Sequence, residues 1–386
     1  MRLRLQGFAF GVALALVGSA PAAGSSLPGT PVPNGFVGVN LDGPPLIPQD
    51  NVSLGPQFDQ MQSSGVQTVR TAFDWAVAQP YQSWSDVPSD QLSVFDEGVG
   101  DVPTDYRGTD TIVAEAAAHG MTLVPTVIYT PSWDAGKAVG NSLVAPRQYA
   151  PYGEYLQTLI HRYGSHGTFW QANPGLTPHP IRMWEIWNEP WIPYYWPIQP
   201  FLKSYLLLLR DAHSAVKSAD PGAKVVLGGM PNASWGVLQS VYRVPGARGL
   251  FDVVDIHAYT KYPSGVITIL RHDRSVMTKA GDGRKPIILG EMGWTSSLHQ
   301  THHAFDWETT PAGQASNVRT VLSLLAANRR KLGLAGFYWY TWMGDQYRGA
   351  SPWNFSGLLG YHSGRVWDKS ALAAFRQLAL ALEHRG

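Results

Sequence analysis

Eight short apolar runs alternate with eight longer amphipathic stretches along this chain, and that rhythm constrains the fold more than any other feature. The runs fall at 35–41, 66–71, 121–127, 181–187, 223–227, 251–256, 286–289 and 334–340. Helical spacing follows each of them, at 55–64, 109–119, 149–163, 200–218, 234–241, 265–279, 311–331 and 369–383. It is clearest where Leu202, Tyr205, Leu206, Leu209, Ala212 and Val216 recur on one helical face. Strands apolar on both faces and joined by helices belong to a parallel sheet covered on its outside, and eight such units close into a (β/α)8 barrel. An open doubly wound sheet is the competing α/β arrangement, but no Gly-x-Gly-x-x-Gly turn follows the first run.

With 386 residues the chain can build one large core, and residues 35–386 are expected to form a single domain. Net charge is +1, from 29 basic and 28 acidic side chains, so nothing in the balance points to nucleic acid or an anionic membrane, and a neutral substrate fits best. Met1-Arg2-Leu3-Arg4, an apolar run from Phe8 to Val17 and the small residues before Ala23 read as a cleavable signal peptide over 1–23, followed by a Gly/Pro/Ser-rich linker over 24–34. The mature chain is then expected outside the cytoplasm, extracellular or periplasmic, with no integral span. A core of this size holds without disulfides, which suits the absence of cysteine. The sequence leaves the oligomeric state open.

Two strings each place a glutamate just past an apolar run: Trp184-Glu185-Ile186-Trp187-Asn188-Glu189-Pro190 and Ile287-Ile288-Leu289-Gly290-Glu291-Met292-Gly293-Trp294. Two carboxyls presented at strand ends suit the cleavage of a glycosidic bond, in which one protonates the departing oxygen while the other attacks or stabilises the sugar carbon. Period-2 alternation groups Met183, Glu185, Trp187 and Glu189, and likewise Ile287, Leu289 and Glu291, as candidate inward-facing sets. Glu185, deeper in its run, is expected to be a buried carboxylate paired with Arg70 or another cation. Long segments follow the runs at 74–105, 129–147, 191–200, 293–310 and 344–367, on the side where a barrel of this kind carries its site.

Order and spacing of the two strings resemble the (β/α)8 (TIM barrel) retaining glycoside hydrolases of clan A, with families 39 and 5 the nearest in pattern. That resemblance implies a glycosidase acting on an oligosaccharide, polysaccharide or glycoconjugate by double displacement, with no cofactor or metal. It makes Glu189 the general acid/base, Glu291 the nucleophile and Asn188 a donor to the sugar 2-hydroxyl. Arg70 matches the cation near the nucleophile, and in Asp255-Ile256-His257-Ala258-Tyr259 either His257 or Tyr259 would border it. Trp342, then Trp339, are the candidates for an aromatic floor beneath the reacting sugar, with Tyr129, Trp133, Trp191 and Trp196 at neighbouring subsites. His299, His302, His303, Asp306 and Glu308 crowd one loop but match no compact zinc spacing. A transglycosylase on the same scaffold, a non-catalytic carbohydrate-binding barrel and an unrelated barrel enzyme are the alternatives.

Overall fold

A computed structural model describes residues 32–301, 305–347 and 350–383. The expected signal segment 1–23, residues 24–31 of the linker, and His302 and His303 lie outside the described residues. Eight parallel strands close into a barrel: β1 (Val37–Leu41), β2 (Thr68–Asp74), β3 (Thr122–Ile128), β4 (Met183–Ile186), β5 (Lys224–Met230), β6 (Val253–His257), β7 (Ile287–Met292) and β8 (Leu334–Trp339), with β1 pairing both β2 and β8. Helices α1 (Leu54–Ser63), α2 (Arg107–Ala118), α3 (Ala150–Tyr163), α4 (Phe201–Ala219), α5 (Ser234–Tyr242), α6 (Pro263–Lys279), α7 (Pro311–Leu332) and α8 (Ser370–Glu383) follow the strands in turn. The expected (β/α)8 architecture is the one found. No described helix is long and apolar enough to cross a membrane.

Local chemistry sets the limits of these elements. Helix α7 starts where the Thr310 hydroxyl accepts from the Gly313 N–H and Pro311 takes the first helical position, and it stops at Gly333 with φ 59°. Helix α4 buries Tyr205, Leu209, Ala212 and Val216 against the barrel, and the Tyr205 hydroxyl donates to the Ile186 carbonyl and accepts from the Gly228 N–H. That one hydroxyl satisfies backbone groups at the end of β4 and within β5, just past the last pair of their ladder, Ile186 with Leu227.

Inside the barrel the lower layer is apolar, built from Val124, Val226, Val253, Ile288 and Tyr338. Ile288 therefore faces inward and Leu289 outward, opposite to the alternation expected for this strand. Glu291 nevertheless reaches the interior because β7 carries an extra residue. Asp255 and His257, two apart, pair with Ile288 and Glu291, three apart, and the register with β8 shifts in the same way. A β-bulge of this kind inserts one residue and re-aims the side chain that follows.

Gly290 sits in the bulge with its N–H bonded to Asp255 Oδ1 at 2.6 Å, and a Cβ there would lie 2.1 Å from Asp255 Oδ2. Asp255 is fully buried. Gly290→Ala is therefore expected to lower the unfolding free energy by about 1–3 kcal/mol, the usual range for overpacking, as read from urea denaturation. An unchanged midpoint would show that Asp255 does not press on this strand.

The segment after β8, expected to be loop, folds instead into a three-stranded sheet: β9 (Met343–Asp345), β10 (Leu359–His362) and β11 (Arg365–Asp368). A second small ladder joins Asp96–Glu97 to Pro103–Thr104 in the segment after β2.

Candidate active site

Arg70 on β2 is the hub of the polar layer above the apolar one. Its Nε and Nη2 donate to Glu185 at 2.7 and 3.0 Å, its Nη1 to Asn40 and Glu291 at 2.8 and 2.9 Å, and its Nη2 also to Asn188 at 2.9 Å. A guanidinium has five N–H donors, and all are engaged. Burial opposes the charge, but Glu185 and Glu291 outweigh it and hold Arg70 firmly protonated. Glu185, fully buried, also accepts from the Thr126 hydroxyl at 2.6 Å and the Gly229 N–H at 3.1 Å. It is the buried partner expected from the sequence. Removing either member of so deep a pair leaves an uncompensated charge, a loss of about 3–5 kcal/mol.

Glu291 therefore stands between two donors: Arg70 holds its Oε1 and the Tyr259 hydroxyl donates to its Oε2 at 2.8 Å. Glu189 reaches the same rim by another route. β4 ends at Ile186, and Trp187 and Glu189 then adopt left-handed backbone at φ 66° and 42°. This breaks the expected alternation, sending the Trp187 ring outward between Tyr152 and Trp196 while Glu189 turns into the barrel mouth. Residues held in such backbone conformations tend to cluster at functional sites.

His257 Nδ1 lies 2.7 Å from Glu189 Oε1, and Nε2 of the same ring lies 3.4 Å from Asp255 Oδ2. The ring is fully buried, which disfavours its charge, yet Glu291, Asp255 and Glu189 hold its pKa well above the usual histidine value. Burial raises the pKa of Glu189, and its hydrogen bond to His257 opposes that shift. The sequence left open which of His257 and Tyr259 borders Glu291. The hydroxyl of Tyr259 donates to Glu291, while His257 bonds Glu189 and brings the same Nδ1 to 3.5 Å from Glu291, so both border it.

A carboxylate oxygen of Glu189, one of Glu291 and a ring nitrogen of His257 lie within 4.8 Å of one another, and Glu185, Asp255 and His257 form a second such group. These are the described residues that could hold a metal ion. Arg70, 2.7–3.7 Å from Glu185, Asp255 and Glu291, already supplies positive charge there. In the loop after β7, Glu308 instead accepts from Ser297 Oγ and the Phe305 N–H.

A cavity of about 320 Å3 opens over these groups, near the lower end of the range for ligand pockets. Arg70, Asn188, Glu189 and Glu291 line it, with Asn40, Asp42, Tyr129, Tyr195, Tyr340 and Trp353. Five expected aromatics do not, among them Trp191, which packs half-buried against the core. Trp339 and Trp342 are fully buried, their indole N–H groups bonded to the Ser356 carbonyl and Gln57 Oε1. Tyr338 faces the barrel interior, so Trp339 must face outward and Tyr340 inward. Tyr340 is therefore the aromatic from the end of β8 that lines the cavity. Trp196 is fully buried against Trp187, with its N–H on Ser204 Oγ, and Trp133 packs edge-on against Trp75 with its N–H on the Gln79 carbonyl. Asn40 and Asp42, missed in the sequence, continue the inward alternation of β1 from Gly38, which abuts Tyr338.

No protein-family model and no curated protein sequence matches the chain. Solved structures do match in fold. A family 39 glycoside hydrolase from Bacteroides cellulosilyticus WH2 superposes with TM-score 0.62 at 16% identity, over 91% of this chain and 64% of that one. A family 39 β-xylosidase from Caulobacter crescentus gives 0.61 at 17%, over 91% and 72%. The family 1 β-glucosidase of Thermotoga maritima gives 0.60 at 14%, over 92% and 99%. At such identities the likeness establishes a shared barrel fold, while the chemistry must be argued from the site.

Proposed function

We propose that the protein is a retaining glycoside hydrolase acting on O-glycosides, with Glu291 as nucleophile and Glu189 as acid/base. The observation that carries this reading is the pair of carboxylates at the barrel mouth, with oxygens within 4.8 Å of each other and unlike surroundings. Retaining sites set their carboxyls about 5–5.5 Å apart, whereas inverting sites need about 6.5–9.5 Å to admit a water. Arg70 and Tyr259 aim donors at the two oxygens of Glu291 and hold it in place for attack, and burial favours the protonated form of Glu189. The fold shared with several glycoside hydrolases is consistent with this reading.

In the first step a Glu291 oxygen bonds to the anomeric carbon as the bond to the leaving oxygen breaks and Glu189 gives that oxygen its proton. Water then enters on the side of Glu189, which takes its proton, and the bond from the sugar to Glu291 breaks. Asn188 is held by Arg70 through its Oδ1, leaving its amide N–H groups to face the cavity and the sugar hydroxyl beside the reacting carbon.

Proton NMR of the product sugar, recorded within minutes of adding enzyme to an aryl glycoside and before mutarotation, tests the proposal. The expected first anomer has the configuration of the substrate. An inverted first anomer would overturn the retaining mechanism, and absence of turnover across a panel of aryl glycosides would overturn the hydrolase reading.

A further inference from the structure

The charges lining the cavity are lopsided. Asp42, Glu189 and Glu291 face it, and Arg70 is the one cation among the described residues lining it. Each of the five N–H groups of Arg70 is already bonded to Glu185, Asn40, Glu291 or Asn188, so Arg70 has none left for a ligand. A carboxylate, phosphate or sulfate on the sugar would enter a site whose described lining is net negative, with no free donor cation among the described residues to meet it.

Asp42 is different from the two glutamates. It follows directly after β1 and is exposed, with Oδ1 accepting from the Gly43 N–H at 2.7 Å and Oδ2 from the Tyr340 hydroxyl at 2.8 Å. Each oxygen of a carboxylate accepts two hydrogen bonds, so one acceptor position on each remains open. Around the barrel β1 lies next to β8, β8 next to β7, and β4 lies across from them. The leaving oxygen must sit beside Glu189, which follows β4, so the sugar that stays on the enzyme extends toward Asp42 and Tyr340.

Resting on the proposed function above, we propose that Asp42 determines specificity: it grips adjacent hydroxyls of a neutral glycone sugar by charge-assisted hydrogen bonds, and the enzyme rejects uronic, phosphorylated and sulfated sugars. Tyr340 fixes the carboxylate by donating to Oδ2 and offers its ring to the same sugar. Asp42→Asn keeps the shape and one acceptor but removes the charge.

The test compares aryl glycosides sharing one leaving group: neutral hexosides and pentosides, the matching glucuronide and the matching 2-amino sugar. Their kcat/KM is measured with wild-type and Asp42→Asn protein, and their binding to Glu291→Ala protein, with and without Asp42→Asn, by calorimetry. The wild type is expected to favour the best neutral glycoside over the uronide by at least about 100-fold, and Asp42→Asn to lower kcat/KM for the neutral sugar by about 10- to 100-fold with an unchanged melting temperature. The same substitution should weaken calorimetric binding of the neutral glycoside by a similar factor.

Equal turnover of the uronide by wild type, or an Asp42→Asn variant as active as wild type on neutral sugars, would overturn the proposal. A wild-type preference for the amino sugar that Asp42→Asn abolishes would overturn it too, by showing that the anion selects a cation rather than hydroxyls. If no glycoside is turned over, the hydrolase reading fails by itself. The calorimetric preference for neutral over uronic glycosides, and its loss with Asp42→Asn, then decides the role of Asp42 separately.

Discussion

Glu291→Ala is expected to lower kcat on every glycoside the wild type accepts, on the order of 10⁴- to 10⁶-fold, the scale seen when a nucleophile is removed from an intact site. The loss should not depend on the leaving group, because no good aglycone replaces the missing bond to the anomeric carbon. Space opens where the carboxylate stood, between Arg70 and the Tyr259 hydroxyl. Azide entering there attacks from the nucleophile's side while Glu189 still protonates the departing oxygen. The rescued product is then a glycosyl azide of inverted configuration, identified by NMR. A variant that kept a tenth of wild-type turnover, or gave a retained azide, would remove Glu291 from this role.

Glu189→Ala is expected to behave differently at each step. With an activated dinitrophenyl leaving group the first step needs little proton donation, so a burst of phenol precedes slow release of the covalent intermediate. With a poor leaving group the first step itself falls by about 10²- to 10⁴-fold, the usual contribution of a placed general acid. Azide relieves the slow second step and yields a product of retained configuration. The pH profile supplies a further reading of the same group. An acid must be protonated to act, and burial raises the pKa of Glu189 against the pull of His257, so the basic limb of wild-type kcat/KM lies above the ordinary carboxylate range. Glu189→Ala should erase that limb. A profile keeping the same basic limb in the variant would assign it to another group.

Both glutamates, Arg70 and the barrel that carries them were legible because they depend on strand order and strand ends, which the alternation of apolar runs displays directly. Finer geometry depended on backbone irregularities that period-2 counting cannot carry. In β7 one inserted residue exchanged the faces of everything beyond it, and the available sign was Gly290 inside an otherwise apolar run. In β4 the count failed at Trp187, whose left-handed backbone ends the strand early. Nearness to the rim pointed to Trp342 and Trp339, but the phase of the strand puts Tyr338 inside and Trp339 outside, and Trp342 lies beyond the strand's end at Trp339, buried with its N–H on Gln57. The small sheet after β8 was hidden because its strands are three or four residues long, too short for alternation to stand out.

The acceptors around Arg70 come from distant parts of the chain: Asn40 from β1, Glu185 from β4, Asn188 from the turn after it, and Glu291 from β7. They meet only in a closed barrel, and closure joins β1 to β8, 300 residues later, at pairs such as Val37 with Phe337. A growing chain on the ribosome therefore carries Arg70 without its full set of partners until β8 has been made. Pairings this far apart in sequence are slow to form and leave apolar edges exposed meanwhile. Competence in this protein should consequently arise all at once and late: fragments ending before Leu334 have no working site, and active-centre titration during refolding should follow the last cooperative phase rather than the early gain of helix.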